Sequence, residues 1–325
     1  MNSPEVGTTK RALEFAGIPR RVLALPELRL LLLIFVGAGI LAVLSPAFLT
    51  TRNLSSVLLS FSFVGIAALG QLLVIIAGRI DLSSGSVMGL AGMICAIVTT
   101  AGFGMWPGIL AGVLTGVACG LANAFFTVRF GITSFIVTLG TMQIARGITV
   151  GLTEGNTITG FPDLFLWFGS GSVVGIPVPL IVLLAIATVI AIILRSTGVG
   201  REIYAVGGNE TAARLAGVEV NRIQFGVFVA SGLLAGLAGV LLTARLGAAV
   251  SNAATGYELT IIAAVVIGGA SLAGGAGTAL GVVLGALLIA LVNNALVLLT
   301  VPTYWQQTFI GAVIVAAAML DRFRR

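Results

Sequence analysis

Residues 28–44, LRLLLLIFVGAGILAVL, and 176–194, IPVPLIVLLAIATVIAIIL, decide the fold. Runs of about 17–25 apolar residues match the hydrocarbon thickness of a bilayer at helical rise. Lipid offers the backbone no hydrogen bonds, so spanning segments are helices or closed barrels. Period-two alternation is absent, which removes the barrel. Working outward from these two stretches, the same pattern predicts about ten spans, near 28–45, 55–77, 82–101, 107–127, 132–152, 178–195, 223–245, 257–271, 277–299 and 304–320. The breaks carry turn residues or charges, as at Ser45-Pro46, Trp106-Pro107 and Val301-Pro302. Segment 257–271 is short, and a half-span or re-entrant segment is an alternative there.

Composition agrees with an all-α polytopic membrane helix bundle. Hydrophobic residues make up 58% of the 325 positions and charged ones 9%, against roughly 25% charged in soluble domains. In the ten-span arrangement every Lys and Arg except Arg52, Arg146 and Arg245 falls on one side. The positive-inside rule then places both termini in the cytoplasm. The formal charge of +6 is thereby explained by span flanks, with no patch for nucleic acid. Residues 1–27 read as a cytoplasmic tail rather than a cleaved signal peptide, and 28–325 as one transmembrane domain. Cys95 and Cys119 sit in apolar spans and suggest neither a disulfide nor a metal site.

The chain holds 44 glycines. Gly108, Gly112, Gly116 and Gly120 repeat at spacing four, as do Gly277, Gly281 and Gly285, predicting close helix–helix approach. The absence of histidine removes His-based zinc sites and Ser-His catalysis. Acidic residues map to loops or span ends, with Glu258 opening the short segment. That argues against ion coupling and against an intramembrane hydrolase, since proton and cation relays need ionisable groups inside the membrane. The polar residues within spans are mainly neutral: Gln71, Asn123, Thr138, Thr141, Gln143, Asn293 and Asn294. Amides and hydroxyls suit a pathway for a neutral, hydroxyl-rich solute, and equally serve as interhelical hydrogen-bond partners.

The longest hydrophilic loop, 196–222, carries a short helix. Asn209 reads as its N-cap after two glycines, Glu210 complements the dipole in the first turn, and Gly217 closes it at C′. Asp81 reads as a cap for the third span, accepting from the amide of Ser83 or Ser84; a gate or a partner contact is the alternative. Arg79 is free to pair with Asp81 or to reach the headgroups. Arg146 snorkels, pairs with Glu154 or lines a pathway.

The loop Gly207-Gly208-Asn209-Glu210-Thr211-Ala212-Ala213-Arg214-Leu215-Ala216-Gly217-Val218 resembles the coupling segment of ribose/xylose/arabinose-type ABC-transporter permeases. Gly78-Arg79-Ile80-Asp81-Leu82-Ser83-Ser84-Gly85-Ser86 resembles that family's G-G-I-D-L-S-V-G-S stretch. Val266-Ile267-Gly268-Gly269-Ala270-Ser271-Leu272-Ala273-Gly274-Gly275-Ala276-Gly277-Thr278 resembles its V-I-G-G-x-S-L-x-G-G-x-G pattern. Arg79 and Ser84 depart from it. The resemblance implies a permease subunit of the bacterial inner membrane with no catalytic site of its own. It implies a second permease copy or paralogue, a periplasmic sugar-binding protein, and a cytoplasmic ATPase that binds ATP and magnesium. In that picture Gly207, Gly208, Asn209, Glu210, Ala212, Ala213, Leu215, Ala216 and Gly217 contact the ATPase. Asp81, Leu82, Ser83, Gly85, Ser86, Gly268, Gly269, Gly274, Gly275 and Gly277 form motif or gate positions. No phosphate-binding G-x-x-x-x-G-K-[ST] loop is present in this chain. The offset between 55–152 and 223–320 suits an inverted repeat of two four-helix halves. A branched-chain amino-acid permease and an ion-coupled secondary carrier are the alternatives.

Overall fold

The computed structural model describes residues 26–302 together with positions 305, 308, 311 and 312. The expected tail, 1–27, lies outside the described residues but for its last two positions, and so does the tenth span, 304–320, apart from those four isolated positions. Each expected segment from 28–45 to 277–299 coincides with a helix: α1 (Pro26–Leu44), α2 (Thr51–Ile76), α3 (Ser84–Val98), α4 (Met105–Ala124), α5 (Ser134–Gly151), α7 (Val178–Ser196), α10 (Val220–Leu246), α11 (Tyr257–Ile267) and α12 (Ala279–Leu298). Single π-helical turns extend α3 to Phe103 and α4 to Arg129. Among the described residues, 7 helices are long and apolar enough to cross a membrane. Helix α5, which carries Gln143 and Arg146, falls outside that set, and α11 is only 11 residues long.

Two elements escape the hydropathy pattern. Helix α6 (Asp163–Ser170) and a small hairpin, Ser172–Val173 with Ile176–Pro177, fill the connection between α5 and α7. Helix α8 (Gly198–Gly208) precedes α9 (Glu210–Leu215) in the loop read as carrying a single short helix. Four glycines hide α8 in the sequence. Its N-terminus is capped by Thr197, whose hydroxyl accepts from the Gly200 amide at 3.1 Å. Its inner face is held by buried Ile203 and Val206.

The glycine stripes are packing surfaces. Built side chains at Gly112, Gly116 and Gly120 would strike α10 at Val240, at Gly232 and Gly236, and at Phe228. Gly281 and Gly285 meet Gly268 and Ala264 in the same way. Such approach supplies the dispersion contacts that hold helices together where lipid gives no hydrophobic drive.

These contacts also fix directions. Residue numbers rise together along α3 and α10 (Met88 against Gly239, Gly92 against Thr243) and oppositely along α4 and α10. Helix α2 is followed by a non-helical return, 77–83, and then by the shorter α3. Helix α10 is followed by a non-helical return, 247–256, and then by the shorter α11. The same plan thus recurs with its first helix reversed, as an inverted repeat requires. The starts of the two shorter helices meet: a side chain at Gly85 would strike the Glu258 carboxylate and come within 3.0 Å of the Ala254 carbonyl. The short segment at 257 therefore starts beside the start of α3.

Candidate coupling junction and solute cavity

The three motif stretches, far apart in sequence, converge at one end of α2. The Ile76 carbonyl, left over at the helix terminus, accepts from the Gly275 amide at 2.9 Å. Gly207, near the end of α8, lies directly over that carbonyl. A methyl group there would overlap the Ile76 oxygen and stand 2.8 Å from the Gly275 nitrogen. Gly274 would bring a side chain within 2.6 Å of the Gly207 carbonyl and 2.9 Å of Gly78 Cα. The Tyr204 hydroxyl donates to the Gly277 carbonyl at 2.6 Å. Burial pushes the Tyr204 phenol upward from its ordinary pKa, so it remains a donor at neutral pH.

Helix α9 hangs from this junction. Asn209 Oδ1 accepts from the Ala212 amide at 2.9 Å, and Gly217 takes a φ of 84° just past the end. Arg79 pairs with Glu210 at 3.1 Å rather than with Asp81. Glu210 also accepts from Arg214 at 3.2 Å and Gln224 at 3.3 Å. The pairs are partly exposed and contribute at most about 1 kcal/mol each; their effect is to set the angle of α9. Ala213 faces inward and is buried, whereas Ala212, Leu215, Ala216 and Gly217 are exposed. Leu215 is 86% exposed. Gly208 and Asn209 are also exposed. Gly268 and Gly269 close α11, away from α9.

Deeper in the bundle lies a polar cluster around Asp81. Its carboxylate accepts from the Ser83 amide at 2.8 Å, the Ser83 hydroxyl at 2.6 Å and the Ser231 hydroxyl at 3.1 Å. The Asn123 amide donates to Ser83 at 2.9 Å and accepts from Thr141 at 2.6 Å. Leu82 donates its backbone amide to Thr138 at 3.1 Å. With its amide oriented to satisfy both ends, Gln71 donates to the Asp81 carbonyl at 2.9 Å and accepts from the Asp81 amide at 3.2 Å. Gln71, Asn123 and Thr141 are thus drawn into one network joining α2, α3, α4, α5 and α10. Ser231 is the member that sequence reasoning missed; nothing in its local pattern separates it from an ordinary packing serine. Ser86 is buried next to the cluster and its hydroxyl has no partner among the described residues. Removing the hub is costly, because a buried donor left unpaired loses its full hydration. Asp81→Ala is expected to lower unfolding stability by about 2–3 kcal/mol, and Asp81→Asn by less. Thermal unfolding of the purified chain in detergent checks both.

The remaining pathway candidates lie elsewhere. Gln143 is exposed on α5, facing away from the cluster. Arg146 neither reaches Glu154 nor snorkels out: it donates to the Ala253 carbonyl at 2.9 Å. Asn293 and Asn294 line a cavity of about 540 Å³ between α2, α11 and α12. There they are joined by Asn53, Ser56, Ser60 and Thr260. Sequence reading passed over these hydroxyls, since Ser and Thr inside a span look like packing residues. Their signal is register: Asn53, Ser56 and Ser60 share one face of α2. None of the lining residues carries a charge at neutral pH.

Over residues 53–318 the chain matches the family described as "Branched-chain amino acid transport system / permease component". It is 40% identical over 301 residues to the ribose import permease protein of Escherichia coli (strain K12), spanning 91% of this chain and 94% of that protein. It is 41% identical over 293 residues to the D-allose transport system permease protein of the same organism, spanning 89% and 90%. It is 37% identical over 280 residues to the L-arabinose ABC transporter permease protein of Azospirillum brasilense, spanning 86% and 83%. No solved structure matches the chain.

Proposed function

The chain belongs to the branched-chain amino acid transport system / permease component family, and from that premise we propose that it is the membrane-spanning subunit of an ATP-driven sugar importer. The observation that carries this reading is the convergence of α8, α9 and the Gly274–Gly277 loop on the end of α2. It gives an exposed helix a rigid mechanical connection to the centre of the bundle. The relatives named for ribose, allose and arabinose favour a monosaccharide or related polyol. The uncharged lining of the cavity favours the same class over a zwitterionic amino acid, whose ammonium and carboxylate call for charged partners.

In this reading α9 docks on a cytoplasmic ATPase, and both termini face the cytoplasm of a bacterial inner-membrane protein. Residues 196–222 are the coupling loop of a single permease domain, 28–325. Two copies, or one copy and a paralogue, enclose the translocation pathway. A periplasmic binding protein delivers the sugar. ATP and magnesium bind the ATPase, and this chain hydrolyses nothing. Closure of the ATPases on ATP pushes α9, and the junction passes the displacement to α2 and the loop before α12. The Asp81 cluster keeps α2, α3, α4, α5 and α10 moving as one body.

Proteoliposomes holding this chain, its ATPase and its binding protein are expected to accumulate D-ribose, D-allose or L-arabinose only with ATP. Uptake that persists without ATP or without the ATPase, or uptake of leucine in place of every sugar, would refute the reading.

A further inference from the structure

We infer that each copy of the chain contains its own water-filled chamber for a neutral polyhydroxylated solute, set between α2, α11 and α12 rather than only at a boundary between two copies. The inference rests on the importer reading and goes further, by assigning the solute a place inside one subunit.

The chamber is the 540 Å³ cavity, within the range of about 300–1,000 Å³ usual for small-molecule sites. It opens on the face opposite α8 and α9, since those helices pack at the Ile76 end of α2 while Asn53 lies at the other end. From Asn53 to Val64, both in its lining, α2 descends about 16 Å at helical rise, roughly half the hydrocarbon thickness. Its floor is Thr255–Tyr257 and Thr260, at the start of the short helix α11.

Two features say that water rather than lipid fills it. Ser60 is exposed although the residues that follow it along α2, 61–76, are all buried. Ser56, Ser60 and Asn293 line the cavity and make no hydrogen bond among the described residues. Contact with acyl chains would leave each of them unsatisfied, at a cost on the order of 1–3 kcal/mol apiece. The opening is framed by a reciprocal amide pair. Asn53 donates to Asn294 at 3.1 Å, and Asn294 donates back at 2.6 Å, tying α2 to α12.

The chemistry of the lining selects the occupant. Hydroxyls and carboxamides both donate and accept, matching a solute whose every group is a hydroxyl. With no ionised side chain in the lining, an acid, an amine or a zwitterion would enter without a counter-charge. Tyr257 adds an apolar ring face for the C–H side of a sugar.

The test uses Ser60→Cys in the assembled importer in proteoliposomes, with a membrane-impermeant thiol reagent applied on the face opposite the ATPase. The unmodified chain, with Cys95 buried and Cys119 half-buried, gives the background. Labelling at least tenfold above background is expected, slowed at least fivefold by saturating D-ribose, D-allose or L-arabinose, whichever the unmodified importer takes up. In parallel, Ser60→Leu is expected to cut uptake at least tenfold while the complex still assembles. No labelling, labelling that the transported sugar does not slow, or normal uptake by Ser60→Leu would each overturn the chamber. Absence of ATP-dependent uptake in the unmodified importer would instead remove the importer reading, a result visible before any variant is made.

Discussion

Gly207→Ala is expected to cut ATP-dependent uptake by roughly 5- to 150-fold while leaving the bundle folded in detergent. The added methyl would overlap the Ile76 carbonyl oxygen and press on the Gly275 amide that this oxygen accepts. Neither neighbour is a flexible side-chain tip, so the backbone of α8 has to move. Overpacking of this kind costs about 1–3 kcal/mol, which lowers the equilibrium constant for correct docking by roughly 5- to 150-fold. The damage is local. Helix α8 meets the end of α2, the loop before α12 and the adjoining parts of α7, α9 and α10, and the packing of α4 and α3 on α10 lies elsewhere. Gly208 supplies the control. It is the next residue along, and a side chain built there meets nothing within 4 Å. Gly208→Ala should keep uptake within about twofold, the size expected of a surface change worth a few tenths of a kcal/mol. Normal uptake by Gly207→Ala, or equal damage from Gly208→Ala, would show that close packing at this junction does not carry the coupling.

The spans were legible because the bilayer allows few answers. A run such as 178–195 fixes both its conformation and its length before any neighbour is considered. The ends of α9 were legible for a local reason: an Asn N-cap and a Gly at positive φ act within a few residues, and both sit where the pattern put them. What stayed hidden depends on distant partners. The helical state of α8 is poor on propensity, with glycines at 198, 200, 207 and 208, and rests on burying Ile203 and Val206. Arg79 had Asp81 within reach in sequence, yet the fold turns Asp81 inward to Ser231 and brings Glu210 to the arginine. The polar residues within spans divided in a way no local signal announces. Gln71 and Asn123 are consumed by internal hydrogen bonds, while Asn293 and Asn294 line a cavity, Asn294 paired with Asn53. The meeting of Gly78, Gly207 and Gly274 was equally out of reach, because each is a loop or helix-end glycine by itself and a contact only in three dimensions.

The outward face of α9 differs from the one its sequence suggests, and the largest expected effect on partner binding follows from that. Ala213 is turned into the bundle and Leu215 out of it. A leucine 86% exposed on a six-residue helix contributes nothing to the packing of this chain. Fully covered by a partner, such a side chain is worth about 1.5–3 kcal/mol. Leu215→Asp removes that contribution and also asks the partner to desolvate a carboxylate. The ATPase is therefore expected to bind at least thirtyfold more weakly, about 2 kcal/mol, with uptake falling in proportion and thermal stability of the chain unchanged. Binding of the purified ATPase to the chain in lipid nanodiscs measures the first effect. Ala213→Leu should do the reverse, lowering thermal stability by overpacking. If Leu215→Asp binds the ATPase as tightly as the unmodified chain, α9 is not the docking element. A loss of thermal stability equal to that of Ala213→Leu would place Leu215 in the packing of the bundle instead, against its exposure.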